Sequence, residues 1–190
     1  MLCIVLAAVC LPRDAEAKAY RWKDVNGNWD VAANWEPLDG GSSFPKDPGD
    51  EAYFTRVYSD KRIVTIPNGV IVSVGKIVYS DRSITITGVG RLRIDNGFQT
   101  PEIWRLAPAP AQDGSDVFSA AVELRGSPDI KLPGAAGMIF GGTISNSGCA
   151  CGLALKTGGR LYLRAPNTYC LLYTSPSPRD RTRSRMPSSA

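Results

Sequence analysis

An all-β fold of stacked coils, a β-solenoid, is what this sequence predicts, and three observations predict it. From Ile63 to Ile94 the chain reads IVTIPNGVIVSVGKIVYSDRSITITGVGRLRI, in which alternating apolar triplets are separated by Gly, Pro, Asn and Asp turn signals. The triplets recur: Val64-Thr65-Ile66 returns 20 residues later as Ile84-Thr85-Ile86, Val72-Ser73-Val74 returns 20 later as Leu92-Arg93-Ile94, and Arg62 returns as Arg82. Triplets also come in pairs offset by 8, at 64 and 72, 84 and 92, 122 and 130, and 153 and 161. A period near 20 built of strands and tight turns is that of a solenoid in which one repeat is one coil. The alternative is an antiparallel β-sandwich, whose strands recur every 8–12 residues.

The first element, residues 1–17, is expected to be a secretory signal peptide. An apolar run, Leu2 to Leu11, too short to span a bilayer, is followed by Ala15-Glu16-Ala17 as a small-x-small cleavage site. A buried N-terminal strand or helix is the competing reading, and a lipid anchor on Cys10 is disfavoured by Val9 before it. Residues 18–61 form an aromatic-rich N-terminal cap. Trp22, Trp29 and Trp35 fall within it, and bulky aromatics cover the open end of a stacked core. The same three rings are the candidate glycan-stacking residues if they are exposed.

Residues 62–169 carry the coils. In each triplet the outer two residues face one side and the middle one the other, giving an aliphatic inner face and a mostly polar outer one. Near 99–116 the segment QTPEIWRLAPAPAQDGSD, with prolines at 101, 108 and 110, reads as an irregular excursion. Cys149 and Cys151 stand two apart; on a strand they share a face, which suits neither an easy mutual disulfide nor a complete metal site without further ligands, so inert or incidentally paired thiols are expected.

Residues 170–190, CLLYTSPSPRDRTRSRMPSSA, match nothing before them and lack any strand or helix period. CLLYTS is the translation of TGT CTC TTA TAC ACA TCT, which resembles the mosaic end of a transposase-based sequencing adapter. PSPRD and SRMPSSA continue that adapter in frame on either side of Arg181-Thr182-Arg183, where a variable index belongs. The tail is therefore expected to be disordered, non-native read-through. It also carries most of the net charge: four arginines against Asp180, leaving 18 basic and 17 acidic residues in the rest. A nucleic-acid partner needs a basic stripe on a folded face, and none is legible.

The chain has no histidine, which removes the Ser-His-Asp, Cys-His and zinc-hydrolase constellations. Carboxylate chemistry would need clustered acids. Asp81, Asp95, Asp113, Asp116 and Asp129 all lie in turn-like sequence, where aspartate normally caps the local backbone. Asp113-Gly114-Ser115-Asp116 lacks the spacing of a calcium cage, and Gly88-x-Gly90 opens no helix to cradle a phosphate. No catalytic residue, cofactor or metal site is expected.

The stretch GLALKTGGRLYLRAPNTY, from Gly152 to Tyr169, resembles the autotransporter-associated β-strand repeat, also called the passenger-associated transport repeat. Gly152, Leu153, Lys156, Gly158, Leu161, Leu163, Asn167, Thr168 and Tyr169 sit in the matching places, while Gly158-Gly159 is compressed and Ala165-Pro166 replaces a preferred Ser-Gly. Trp29-Asp30, Asn34-Trp35, Pro48-Gly49-Asp50, Ala52 and Phe54 resemble the opening of secreted bacterial proteins that carry these repeats. The resemblance implies a right-handed parallel β-helix, a passenger or stalk that is secreted or lies on the surface of a Gram-negative-type bacterium. It implies a structural or adhesive role toward surface glycans or host or neighbouring cells, with membrane attachment only through a C-terminal anchor or barrel beyond these residues. The competing functional readings are a fragment of a pectin-lyase-like polysaccharide-active enzyme and a carbohydrate-binding module using Trp22, Trp29 and Trp35.

Overall fold

The computed structural model describes residues 16–23, 25–56, 61–80, 84–106, 115–134 and 136–168. Most of the expected leader and all of the adapter-like tail lie outside them. The described chain is all-β. Its strands are β1 (Ala19–Trp22), β2 (Gly27–Asn28), β3 (Trp35–Pro37), β4 (Glu51–Phe54), β5 (Arg62–Thr65), β6 (Ile71–Val74), β7 (Lys76–Tyr79), β8 (Ile84–Thr87), β9 (Arg91–Ile94), β10 (Glu102–Arg105), β11 (Ser115–Phe118), β12 (Ala121–Leu124), β13 (Asp129–Lys131), β14 (Gly137–Phe140), β15 (Ile144–Asn146), β16 (Ala154–Leu155) and β17 (Arg160–Leu163). The one helical element among the described residues is a 3-10 turn, Ala32–Asn34.

From β4 onward each strand pairs in parallel with the strand three places along the chain. Three sheets result: sheet A is β16-β13-β10-β7-β4-β1-β3, sheet B is β17-β14-β11-β8-β5-β2, and sheet C is β15-β12-β9-β6. Among the described residues only β1 with β3 is antiparallel, through Trp22↔Trp35 and its neighbours. That pairing pattern overturns the antiparallel sandwich, in which hairpin-linked neighbours would pair.

The inward residues of all three sheets meet in a single aliphatic core that includes Val64, Ile66, Val72, Val74, Ile77, Ile84, Ile86, Leu92 and Ile94. The triplets read largely as expected, outer residues in and middle residues mostly out; the exception is Leu155, which is 38% exposed. The 20-residue repeat holds in sheet C, where Val72 pairs with Leu92 and Val74 with Ile94. In sheet B it slips by two. Val64 pairs with Ile86 and Arg62 with Ile84, so the similar triplets sit diagonally. Because a shift of two preserves which side each residue faces, the hydrophobic pattern does not distinguish the two registers.

Within the expected excursion near 99–116, the described strands keep the rhythm. Glu102–Arg105 forms β10, in register with β7 on one side and β13 on the other, and β11 joins β8 to β14. Pro101 stands just before β10, where its missing N–H costs no ladder bond. Residues 107–114, with the other two prolines, lie outside the described chain.

The placement of the cysteines on a strand also needs correction. Cys149 and Cys151 lie in the connection from β15 to β16, not on a strand, and a disulfide joins them. The bend brings their Cα atoms to 5.2 Å, shorter than an extended i, i+2 pair and inside the range a disulfide bridges.

Gly88-x-Gly90 turns β8 into β9, as the sequence suggests. Gly88 has φ +111, and a Cβ there would run into the Ile66 carbonyl. Gly75 is the single residue between β6 and β7, and a Cβ on it would come within 2.8 Å of the Gly49 Cα.

Candidate functional site

At the start of the chain's core, Trp22, Trp29 and Trp35 converge with Phe54. Trp35 meets Trp22 edge-on at 4.8 Å between ring centroids, Trp29 at 5.0 Å and Phe54 at 5.6 Å. Every indole N–H is satisfied by a carbonyl: Trp22 donates to Val25 at 2.9 Å, Trp29 to Pro45 at 2.8 Å and Trp35 to Trp29 at 2.7 Å. The three side chains are 0–1% exposed. Sugar stacking needs an open ring face, and none of these three offers one. Beside them the buried Asp50 carboxylate accepts the backbone N–H groups of Lys18, Lys46 and Asp47 at 3.0–3.1 Å, tying the entering strand to the 46–50 loop.

The aspartates are not brought together. Asp95 caps the turn after β9, its Oδ1 accepting the Gly97 N–H at 3.0 Å, and Asp129 pairs with Lys156 at 3.3 Å. Asp81, Asp113 and the Asp116 side chain lie outside the described structure. Among the described residues no three of Cys, Asp and Glu come together as metal ligands.

Two outward surfaces carry the chemistry instead. On sheet A the parallel register stacks Glu51, Lys76 and Glu102 in one row and Tyr53, Val78, Trp104 and Lys131 in the next. Lys76 Nζ lies 3.6 Å from Glu51 and 4.0 Å from Glu102, and Lys131 Nζ is 2.5 Å from Glu102. Trp104, 38% exposed, has the Lys131 ammonium 4.8 Å from its ring centroid and that of Lys76 at 5.7 Å. Tyr53 donates its hydroxyl to Glu51; burial, then that carboxylate, pushes the phenol well above its usual range. A cleft of about 430 Å³ opens beside this row, lined by Glu51, Lys76, Asn96, Gln99, Thr100 and Glu102. Its carboxylates, amides and hydroxyl supply both donors and acceptors, which is hydrogen-bonding equipment for a polar ligand.

On sheet C, Glu123 gathers three guanidinium groups. Arg91 Nη1 donates to it at 2.9 Å, Arg93 Nε at 3.0 Å and Arg125 Nε at 3.3 Å. Arg93 stands directly opposite Glu123 in the β9–β12 register. The arginines cover the carboxylate so fully that Glu123 is 3% exposed although it points outward. Burial pushes its carboxyl upward, but the hydrogen bonds from Arg91, Arg93 and Arg125 outweigh that and hold it down at about 2.

The sequence points to neither surface. Trp104 stands outward between the buried Ile103 and Arg105, a strand whose EIWR sequence lacks the apolar-x-apolar alternation, and the prolines around it argue further against a strand there. Glu123 and Arg93 are 30 residues apart, a separation that a 20-residue period hides.

Against known proteins, no family model, no curated protein and no solved structure matches this chain.

Proposed function

We propose that the three parallel sheets are the sides of a right-handed parallel β-helix, and that the chain is a passenger or stalk of a secreted or cell-surface bacterial protein with a structural or adhesive role. One observation carries this reading: parallel pairing of each strand with the third one on, sustained from β4 to β17. Such pairing makes every three strands one coil and buries one continuous core, so the chain extends by adding coils and displays its outer faces. The likeness of Gly152–Tyr169 to the passenger-associated repeat supports the same reading. The polar cleft and Trp104 on sheet A, rather than the N-terminal tryptophans, are the surface such a stalk presents.

A single long read of the source DNA across codon 169 tests the proposal. Continuation through Gly-Thr-rich turns and further NTY-type coils to a barrel or sorting anchor is the expected result. Entry into a domain with clustered catalytic carboxylates would replace it with the polysaccharide-active enzyme reading. Finding CLLYTSPSPRD in the genome would overturn the adapter assignment.

A further inference from the structure

The arginine cluster on sheet C holds more positive charge than its partner neutralises. Three guanidinium groups converge on one carboxylate, which leaves a local excess of two positive charges. Asp95, the acid that follows the last paired residue of β9, turns its carboxylate to the Gly97 amide. Each guanidinium has five N–H donors, and Glu123 takes only four contacts from the three of them. Arg91 and Arg125 are half-exposed, so their remaining donors face solvent. The buried carboxylate fixes their heads in place, which lowers the entropy lost when a second anion is bound.

The surroundings limit what that anion is. Outward neighbours on the flanking strands are uncharged: Ile71 and Ser73 on β6, Ser145 on β15 and Thr143 just before it. The positive charge is thus a point on a polar face rather than a stripe. A nucleic-acid backbone or an anionic bilayer draws its affinity from many phosphates spread over a broad basic surface. One charged group per few ångströms, flanked by hydroxyls that Thr143 and Ser145 can meet, is the pattern of an acidic sugar.

We propose that Arg91, Arg93 and Arg125, organised by Glu123, bind the carboxylate or sulfate group of an acidic polysaccharide. This gives the adhesive reading a ligand class and rests on that reading for its biological setting, while the binding itself is testable on the chain alone. The full chain is titrated calorimetrically with oligogalacturonate, sulfated dextran oligomers, unmodified dextran, a single-stranded oligonucleotide and phosphatidylserine vesicles. The expected result is binding to one or both acidic sugars that weakens with salt, and none to plain dextran; which acidic sugar binds distinguishes carboxylate from sulfate. Arg91→Ala and Arg125→Ala each reduce affinity by about tenfold or more, since each removes a charge-assisted contact. Lys156→Ala, on sheet A's margin, removes the same charge elsewhere and leaves affinity unchanged. The two arginines are varied separately, with circular dichroism on each, so a folding defect in one leaves the other as the test. No binding to either acidic sugar, equal loss in Lys156→Ala, or tighter binding to the oligonucleotide or vesicles would overturn the proposal. None of these outcomes depends on the DNA beyond codon 169, so the two readings fail separately.

Discussion

Replacing Trp35 with alanine removes the ring that touches both other tryptophans and Phe54, and that donates to the Trp29 carbonyl at 2.7 Å. A buried Trp→Ala change costs about 3–5 kcal/mol through lost transfer energy and the residual cavity. Stranding the Trp29 carbonyl adds about 1–3 kcal/mol if water does not reach it. Trp35→Phe separates the two contributions, because it keeps most of the apolar area and loses only the donor, so about 1–3 kcal/mol is expected. Urea unfolding followed by fluorescence is the assay. With a denaturant slope of about 2 kcal/mol per molar, the alanine variant should lower the midpoint by about 2–4 M and the phenylalanine variant by about 1 M. Trp104→Ala serves as the control, since its 38% exposed ring on sheet A should cost about 1 kcal/mol or less. An alanine variant within about 0.3 M of the parent would refute the claim that this aromatic cluster is what closes the start of the core.

Three other outcomes are expected from the same packing. The Glu123 carboxyl sits at about 2, below its ordinary 4.5, so its contribution to stability is full above the ordinary value and lost as pH falls through about 2. The groups facing it are Arg91 and Arg93 from β9, Arg125 beyond β12 and the uncharged Ser145 from β15; Glu123→Gln should therefore be less stable than the parent at pH 6, with the gap in urea midpoint closing by pH 2. Gly75→Ala should destabilise by about 1–3 kcal/mol, measured by thermal unfolding, because its Cβ would crowd the Asn96 side chain and also come within 2.8 Å of the Gly49 Cα, a backbone atom that cannot rotate away. Converting Cys149 and Cys151 to serine should cost at most about 1.6 kcal/mol, the loop-entropy value for so short a ring, and neither thiol of the parent should alkylate before reduction.

The inward half of the fold was legible because it depends on periodicity alone. Val72, Val74, Leu92 and Ile94 alternate with polar residues, and any stacking that hides them gives nearly the same core. Register was legible only in sheet C. In sheet B a two-residue slip leaves Val64 and Ile86 still facing inward, so the apolar pattern carries no information about it. Pro101, Pro108 and Pro110 obscure β10 because proline flanking a strand and proline interrupting one look alike in sequence. The surfaces were hidden for another reason. Glu123, Arg93, Lys76, Glu102 and Trp104 acquire meaning from their neighbours across the sheet, and those neighbours are set by register rather than by local composition.

The connections between sheets differ in how much length they have absorbed. Passages from sheet B to sheet C take two to five residues, at 66–70, 88–90, 119–120 and 141–143. Passages from sheet C to sheet A range from the lone Gly75 to seven residues at 95–101 and at 147–153, yet the strands on either side keep their parallel partners. The 95–101 passage supplies Asn96, Gln99 and Thr100 to the sheet A cleft. Descent with modification thus has room to work at this margin: its length changes from coil to coil without disturbing the ladders on either side. Lineages sharing this scaffold can diverge in what they recognise while inheriting the same framework unchanged.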